Sequence, residues 1–181
     1  MLSSPTMSRA FTKEDSWEEP VVPPRAALPP GVPNYVTPRG LALLHAEHAQ
    51  REAQRARLDA DTPDEAARRK HRAVLTRQLG DLAARIASAE VVDPALQESD
   101  RVRFGATVTL RTIRGEQAGE VRTLQIVGVD EADPGQGRVA FLAPIARAVI
   151  GHAPGDVVQF QAGDGEATLA IEAVTYGEPA P

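Results

Sequence analysis

The chain contains no cysteine. That excludes a disulfide framework, a Cys-ligated zinc and a thiol nucleophile. Aromatic residues are 4% of the total. Four of them, Phe104, Phe141, Phe160 and Tyr176, are spread singly through the C-terminal part as core residues would be, so no pocket walled by aromatic rings is expected there. No apolar run approaches the roughly 18–20 residues that a membrane span needs. The N-terminus has no basic stretch followed by an apolar one, so no signal peptide is expected. Basic residues are outnumbered, 20 to 25, for a net charge of −5. A net acidic chain binds duplex DNA poorly without sequence preference. Of the four histidines only His45 and His48 are close in sequence. They are read as a satisfied or solvent-facing pair, not as a metal site. These features point to a soluble, cytoplasmic protein.

What the chain does contain is unevenly distributed. Its 181 residues allow one domain or two small ones. Eight of the fifteen prolines fall within residues 1–38. Residues 1–36 read as a disordered Pro-rich tail with some polyproline II character. Trp17 lies among acidic residues there and reads as a lone aromatic or a short linear motif. Residues 37–93 are rich in Ala, Arg, Leu and Glu, a helical composition. Residues 101–177 alternate Val, Ile, Thr and Phe with polar residues between glycines, a strand-and-turn composition.

The helical part divides in two. Thr37-Pro38 is an N-cap followed by a proline at the first helical position. The helix is expected to run to about Leu58. Ala42, Ala46, Ala49, Ala53 and Ala56 repeat at spacings of four and three and are expected to form a narrow seam, flanked at its base by Leu41 and Leu44 and with Leu58 near its far end. Pro63 cannot continue a helix, and Asp61 or Thr62 can cap the next. The second helix is expected from about Asp64 to Ala89. Its apolar positions are Val74 or Leu75, Leu79, Leu82, Ile86 and Ala89. Two helices and a short turn give an antiparallel hairpin with arms of about 30–40 Å. With no third helix, a projecting two-stranded coiled coil is expected. In the C-terminal part, strands are expected at 108–112, 122–127, 138–142, 157–161 and 167–174. Pro144 to Ile150, closed by Gly151, has the pattern of a short helix. The fold class is therefore α+β: an antiparallel α-helical hairpin followed by a small β-sheet domain with one helix.

Four blocks carry a family resemblance: Phe104-Gly105-Ala106-Thr107-Val108-Thr109-Leu110, Ile126-Val127-Gly128-Val129-Asp130-Glu131-Ala132-Asp133, Pro144 to Gly151, and Gly155-Asp156. In order and spacing they resemble the C-terminal domain of the bacterial GreA/GreB transcript cleavage factors. Thr37-Pro38 and Ala89-Glu90-Val91-Val92-Asp93 fit the ends of that family's hairpin. Ser8 to Asp15 resembles the start of a subgroup with a Pro-rich leader, in which Met7 is a natural start. The resemblance implies an FKBP-like domain over 101–177 that docks on RNA polymerase at the rim of its secondary channel. It implies a coiled coil, over 37–93, that passes down the channel and stimulates cleavage of backtracked RNA at its 3′ end. Such a protein is not itself an enzyme: the Mg-dependent hydrolysis belongs to the polymerase. It binds no cofactor alone, shares a magnesium ion with the polymerase through carboxylates at the tip, and acts as a monomer. Prolyl isomerase activity is not expected, because fold alone does not imply function.

The chain departs from the family at the tip. The family motif G-D-x-x-E-N-A-E-Y has no counterpart; the chain offers Asp59, Asp61, Asp64 and Glu65. Asp61 and Asp64 keep an acid-x-x-acid spacing and are the candidate metal-holding carboxylates. The competing reading is that acids at a helix start merely cap it. The first helix also reads as about ten residues shorter than the family's, on the order of 15 Å of reach. Arg57, Arg68, Arg69 and Arg72 flank the tip and are candidate contacts for RNA phosphates, or else a solvated, ion-paired face. Pro144, Ile145 and Arg147 open the short helix and are the candidate polymerase-docking residues. Alternatively Ile145, Val149 and Ile150 are core and Arg147 is a cap. A non-cleaving regulator that blocks the same channel is the alternative function.

Overall fold

The computed structural model describes residues 25, 27–61, 64–98, 100–162 and 165–177. The tail expected over 1–36 therefore lies mostly outside the described residues. Its last part is not tail: Asn34–Val36 forms a strand, β1.

Helix α1 spans Pro38–Asp61 and α2 spans Glu65–Ala87. Thr37 caps α1 by accepting the Gly40 N–H at 2.9 Å. At about 1.5 Å per residue, α1 is about 36 Å long. It continues three residues past the expected end at Leu58. Asp59, Ala60 and Asp61 carry no helix breaker, and the proline that stops the helix comes later. Helix α2 ends at Ala87, two residues early, because Ala89–Val91 turns into a strand, β2. β1 and β2 pair in parallel, Asn34 opposite Ala89 and Val36 opposite Val91, and join the two ends of the hairpin. The Asn34 side-chain amide donates to Arg85 O at 2.8 Å and to Ser88 Oγ at 3.1 Å, which ties β1 to the end of α2.

The alanine seam is corrected by the structure. Ala42, Ala46, Ala49, Ala53 and Ala56 are all exposed. The inward face of α1 carries Leu44 and Leu58, buried, with His48 and Arg51 half-buried between them and Leu41 half-buried one turn before Leu44. A leucine buries far more apolar area than an alanine, so two leucines set the helix rotation against five small residues. On α2 the expected face is inward: Leu75, Leu79 and Leu82 are buried, and Val74 and Ile86 are half-buried. Val36, Leu44 and Leu82 form a compact cluster at the base, with Leu41, Ile86 and Ala89 packed around it.

The C-terminal part is a five-stranded sheet in the order β5-β4-β3-β7-β6. Its strands are β3 Thr107–Arg114, β4 Val121–Val127, β5 Arg138–Ala140, β6 Val157–Ala162 and β7 Gly165–Thr175. β3 is central and antiparallel to β4 and β7, whereas β4 and β5 are parallel. Alternation along β3 sends Val108, Leu110 and Thr112 inward. Helix α3, Pro144–Val149, lays Ala146 and Val149 on that face. The sheet core also holds Leu124, Ile126, Leu169 and Ile171. Among the described residues no helix is long and apolar enough to cross a membrane.

Candidate functional site

The hairpin tip lies between the end of α1 and the start of α2. Asp61 is the last residue of α1. Its side chain, and all of Thr62 and Pro63, lie outside the described residues. Asp64 is the N-cap of α2: its exposed carboxylate accepts the Ala66 N–H at 2.9 Å. Capping by a tip acid, weighed from the sequence, is thus present, but the cap is Asp64 and not the expected Asp61 or Thr62, and α2 starts one residue later, at Glu65. The cap uses one carboxylate oxygen, and an ionised carboxylate keeps further acceptor capacity. Glu65 stands exposed in the first turn of α2. Among the described residues no three or more His, Asp or Glu groups are placed to hold a metal ion. Of the tip acids, Asp64 and Glu65 are exposed oxygen donors among the described residues.

Arg57 is exposed four residues before the end of α1, and Arg69 and Arg72 are exposed on α2. Arg68 is half-buried. All four lie on the half of the hairpin next to the tip. In the sheet domain, Pro144 is exposed at the first position of α3 and Arg147 is exposed in its last turn. Ile145 is half-buried and packs against the sheet core, so only part of it faces outward. Ile150, grouped above with the core, is 37% exposed, because it follows the last turn of α3 instead of lying on its buried face.

Sequence reading missed the joint between hairpin and sheet. The turn after β4 carries Asp130 and Glu131, with side chains 8% and 2% exposed. Glu131 accepts a hydrogen bond from the Thr37 hydroxyl at 2.5 Å, so the cap of α1 is itself held by the sheet domain. Arg39 lies 3.9 Å from Glu131. Asp130 pairs with Arg85 of α2 at 3.4 Å and with Arg25. The rings of Tyr35, Phe104 and Phe141 meet in a triangle with centroids 5.7–5.8 Å apart. Gly128 brings the same turn against β1: a Cβ there would lie 2.7 Å from Tyr35 O. The available signal was Gly128 followed by two adjacent acids at the end of a strand, inside one of the four family blocks. Burial of both acids could not be read from that pattern.

The family pattern described as transcription elongation factor, GreA/GreB, C-term matches residues 97–176, which contain the sheet, α3 and the Asp130-Glu131 turn. The chain is 40% identical over 109 residues to the transcription elongation factor GreA of Acidiphilium cryptum, a match spanning 60% of this chain and 68% of that one. It is 41% identical over 97 residues to GreA of Ralstonia nicotianae, spanning 53% of this chain and 60% of that one. Among solved structures it is similar to a GreA/GreB elongation factor from Nitrosomonas europaea (25% identity, TM-score 0.37, 80% of this chain and 99% of that one). It is also similar to the GreA factor homolog 1 protein of Thermus thermophilus (17% identity, TM-score 0.37, 80% and 99%). On the sequence relationship, carried by the sheet domain and extended toward the hairpin, the chain belongs to the GreA/GreB family of transcription elongation factors.

Proposed function

We propose that this protein docks on RNA polymerase through its sheet domain, inserts the hairpin into the secondary channel, and stimulates cleavage of backtracked RNA. The observation that carries this reading is a two-helix finger about 36 Å long, anchored at one end in the family's domain and ending in an exposed carboxylate. Asp64 and Asp61 would share in holding a magnesium ion of the polymerase. The chemistry that metal supplies is activation of water for phosphodiester hydrolysis. The chain's own part is to deliver the carboxylates, to hold extruded RNA through Arg57, Arg68, Arg69 and Arg72, and to exclude competing occupants from the channel. Pro144, Ile145 and Arg147 would contribute to the docking surface. The protein acts as a monomer and catalyses nothing alone.

A second reading is a channel-blocking regulator without cleavage. It is favoured by one observation: the Asp64 carboxylate is already engaged as a helix cap. Conservative substitution separates the two. Asparagine caps a helix about as well as aspartate but has no anionic charge. Asp61→Asn combined with Asp64→Asn is tested on a defined backtracked complex from the cognate polymerase. The cleavage reading expects fast release of short 3′ RNA fragments by the unaltered protein, lost in the double variant, with competition against an authentic cleavage factor retained. Cleavage that survives the double substitution refutes the tip assignment. Competition without cleavage by the unaltered protein establishes the blocking reading.

A further inference from the structure

The leader of the chain contributes one side chain to the joint. Arg25 lies 13 residues before the first residue of α1, so no helix needs it to form. Its two terminal nitrogens are engaged on different bodies: Nη1 donates to Asp130 of the sheet domain and Nη2 donates to Glu47 of α1. Its side chain is 21% exposed. Burial alone would lower the pKa of this guanidinium, but its bonds to Asp130 and Glu47 outweigh that and raise it. Arg85 of α2 reaches the other oxygen of the same Asp130 carboxylate at 3.4 Å. One acidic side chain of the sheet domain is thus held by two arginines, one from α2 and one from the leader, and the leader arginine also grips α1. A groove of about 400 Å³ runs beside this contact, with Arg25 and Leu28 on one wall and Arg77, Asp81, Ala84 and Ser88 of the α2 side on the other. Leu28 thus joins Arg25 on this side of α2.

We infer that Arg25 is a positioning residue: a staple by which the leader fixes the angle of the hairpin to the docking domain. The mechanical reason is leverage. For a finger of about 36 Å, a change of 10° at the joint moves the tip by about 6 Å. Reaction geometry tolerates errors of about 1 Å. Planar guanidinium geometry suits the task, because it presents donors in a rigid fork that can serve two carboxylates at once, whereas a lysine offers a single point charge. The role in cleavage rests on the function proposed above. The role in fixing the angle does not.

The absence of cysteine makes the angle measurable. Cysteines introduced at Ala53 of α1 and Gln159 of β6, both exposed, carry spin labels in the full chain, and their distance distribution is read by pulsed electron resonance. The unaltered joint gives one narrow distance. Arg25→Ala is expected to shift or broaden it by about 4 Å for each 10° of freedom gained, with helix content unchanged by circular dichroism. Glu47→Gln gives a smaller change, and Arg25→Lys recovers part of the narrow population. An unchanged distribution in Arg25→Ala overturns the proposal. On backtracked complexes, Arg25→Ala is expected to lower cleavage at saturating protein by about tenfold while competition for polymerase holds. Equal cleavage despite a broadened distance overturns the positioning role. If the unaltered protein does not cleave, the functional reading fails and the distance measurement alone decides the staple.

Discussion

At the scale of single residues, the closest approaches are the most exposed to substitution. Gly128 sits where any side chain meets backbone: its Cβ would fall 2.7 Å from Tyr35 O. Gly128→Ala should therefore push β1 off the turn and cost about 1–3 kcal/mol, as overpacking does; urea denaturation reads this directly. Tyr176, just past β7, holds the segment that precedes β3. Its hydroxyl donates to Arg101 O at 2.6 Å and accepts the Arg103 N–H at 2.9 Å. Burial pushes the phenol above its ordinary pKa, against the lowering effect of the Arg103 N–H. A raised folded-state pKa means that the contribution is full below the usual phenol value and is lost as pH rises through the folded value. The unaltered protein should thus lose stability on the alkaline side more steeply than Tyr176→Phe. The variant itself starts about 1 kcal/mol lower at neutral pH through the missing hydrogen bonds. Thermal melts from pH 7 to 11 measure both. At Asp64, asparagine should leave the stability of α2 nearly unchanged, whereas alanine should cost about 0.5–2 kcal/mol through the lost cap.

At the scale of elements, the hairpin is held by few large side chains. Leu82→Ala, at the base cluster where Leu82 is 2% exposed, should cost about 2–5 kcal/mol. Ala49→Ser or Ala53→Ser, on the outer face of α1, should stay within about 0.5 kcal/mol. The opposite ranking in denaturation midpoints would restore the alanine seam. This contrast shows what was legible in the sequence. The strands, α3, the α2 face and the family were readable, because alternation, the Pro-to-Gly frame around 144–151 and the four blocks are local signals. The rotation of α1 was not. Two helical faces of similar periodicity compete there, and only the partner helix decides which turns inward. β1 and β2 were missed because each is three residues long and has no partner within its own segment of sequence. The candidate site was half legible. The acids and arginines of the tip stood out by type and spacing. Asp130, Glu131 and Arg25 did not, because their meaning comes from partners up to 105 residues away in sequence.

At the scale of the whole molecule, the protein is a sheet domain, a joint and a two-helix finger. The sheet domain carries the family pattern, the joint carries the buried acids, and the finger carries the tip acids and arginines. Under the proposed function this division separates affinity from chemistry: changes at α3 should alter binding, changes at the tip should alter what happens once bound, and changes at the joint should alter how well the second follows from the first. The most direct measurement places a photo-reactive amino acid at Ala56, an exposed position beside Arg57 near the end of α1. The protein is then irradiated in a complex backtracked by a defined number of nucleotides. If the finger occupies the secondary channel, label on the RNA appears at the extruded 3′ segment and disappears when the complex is not backtracked. Cross-links to the polymerase surface alone, or RNA labelling that ignores backtracking, would contradict the placement of the finger in the channel.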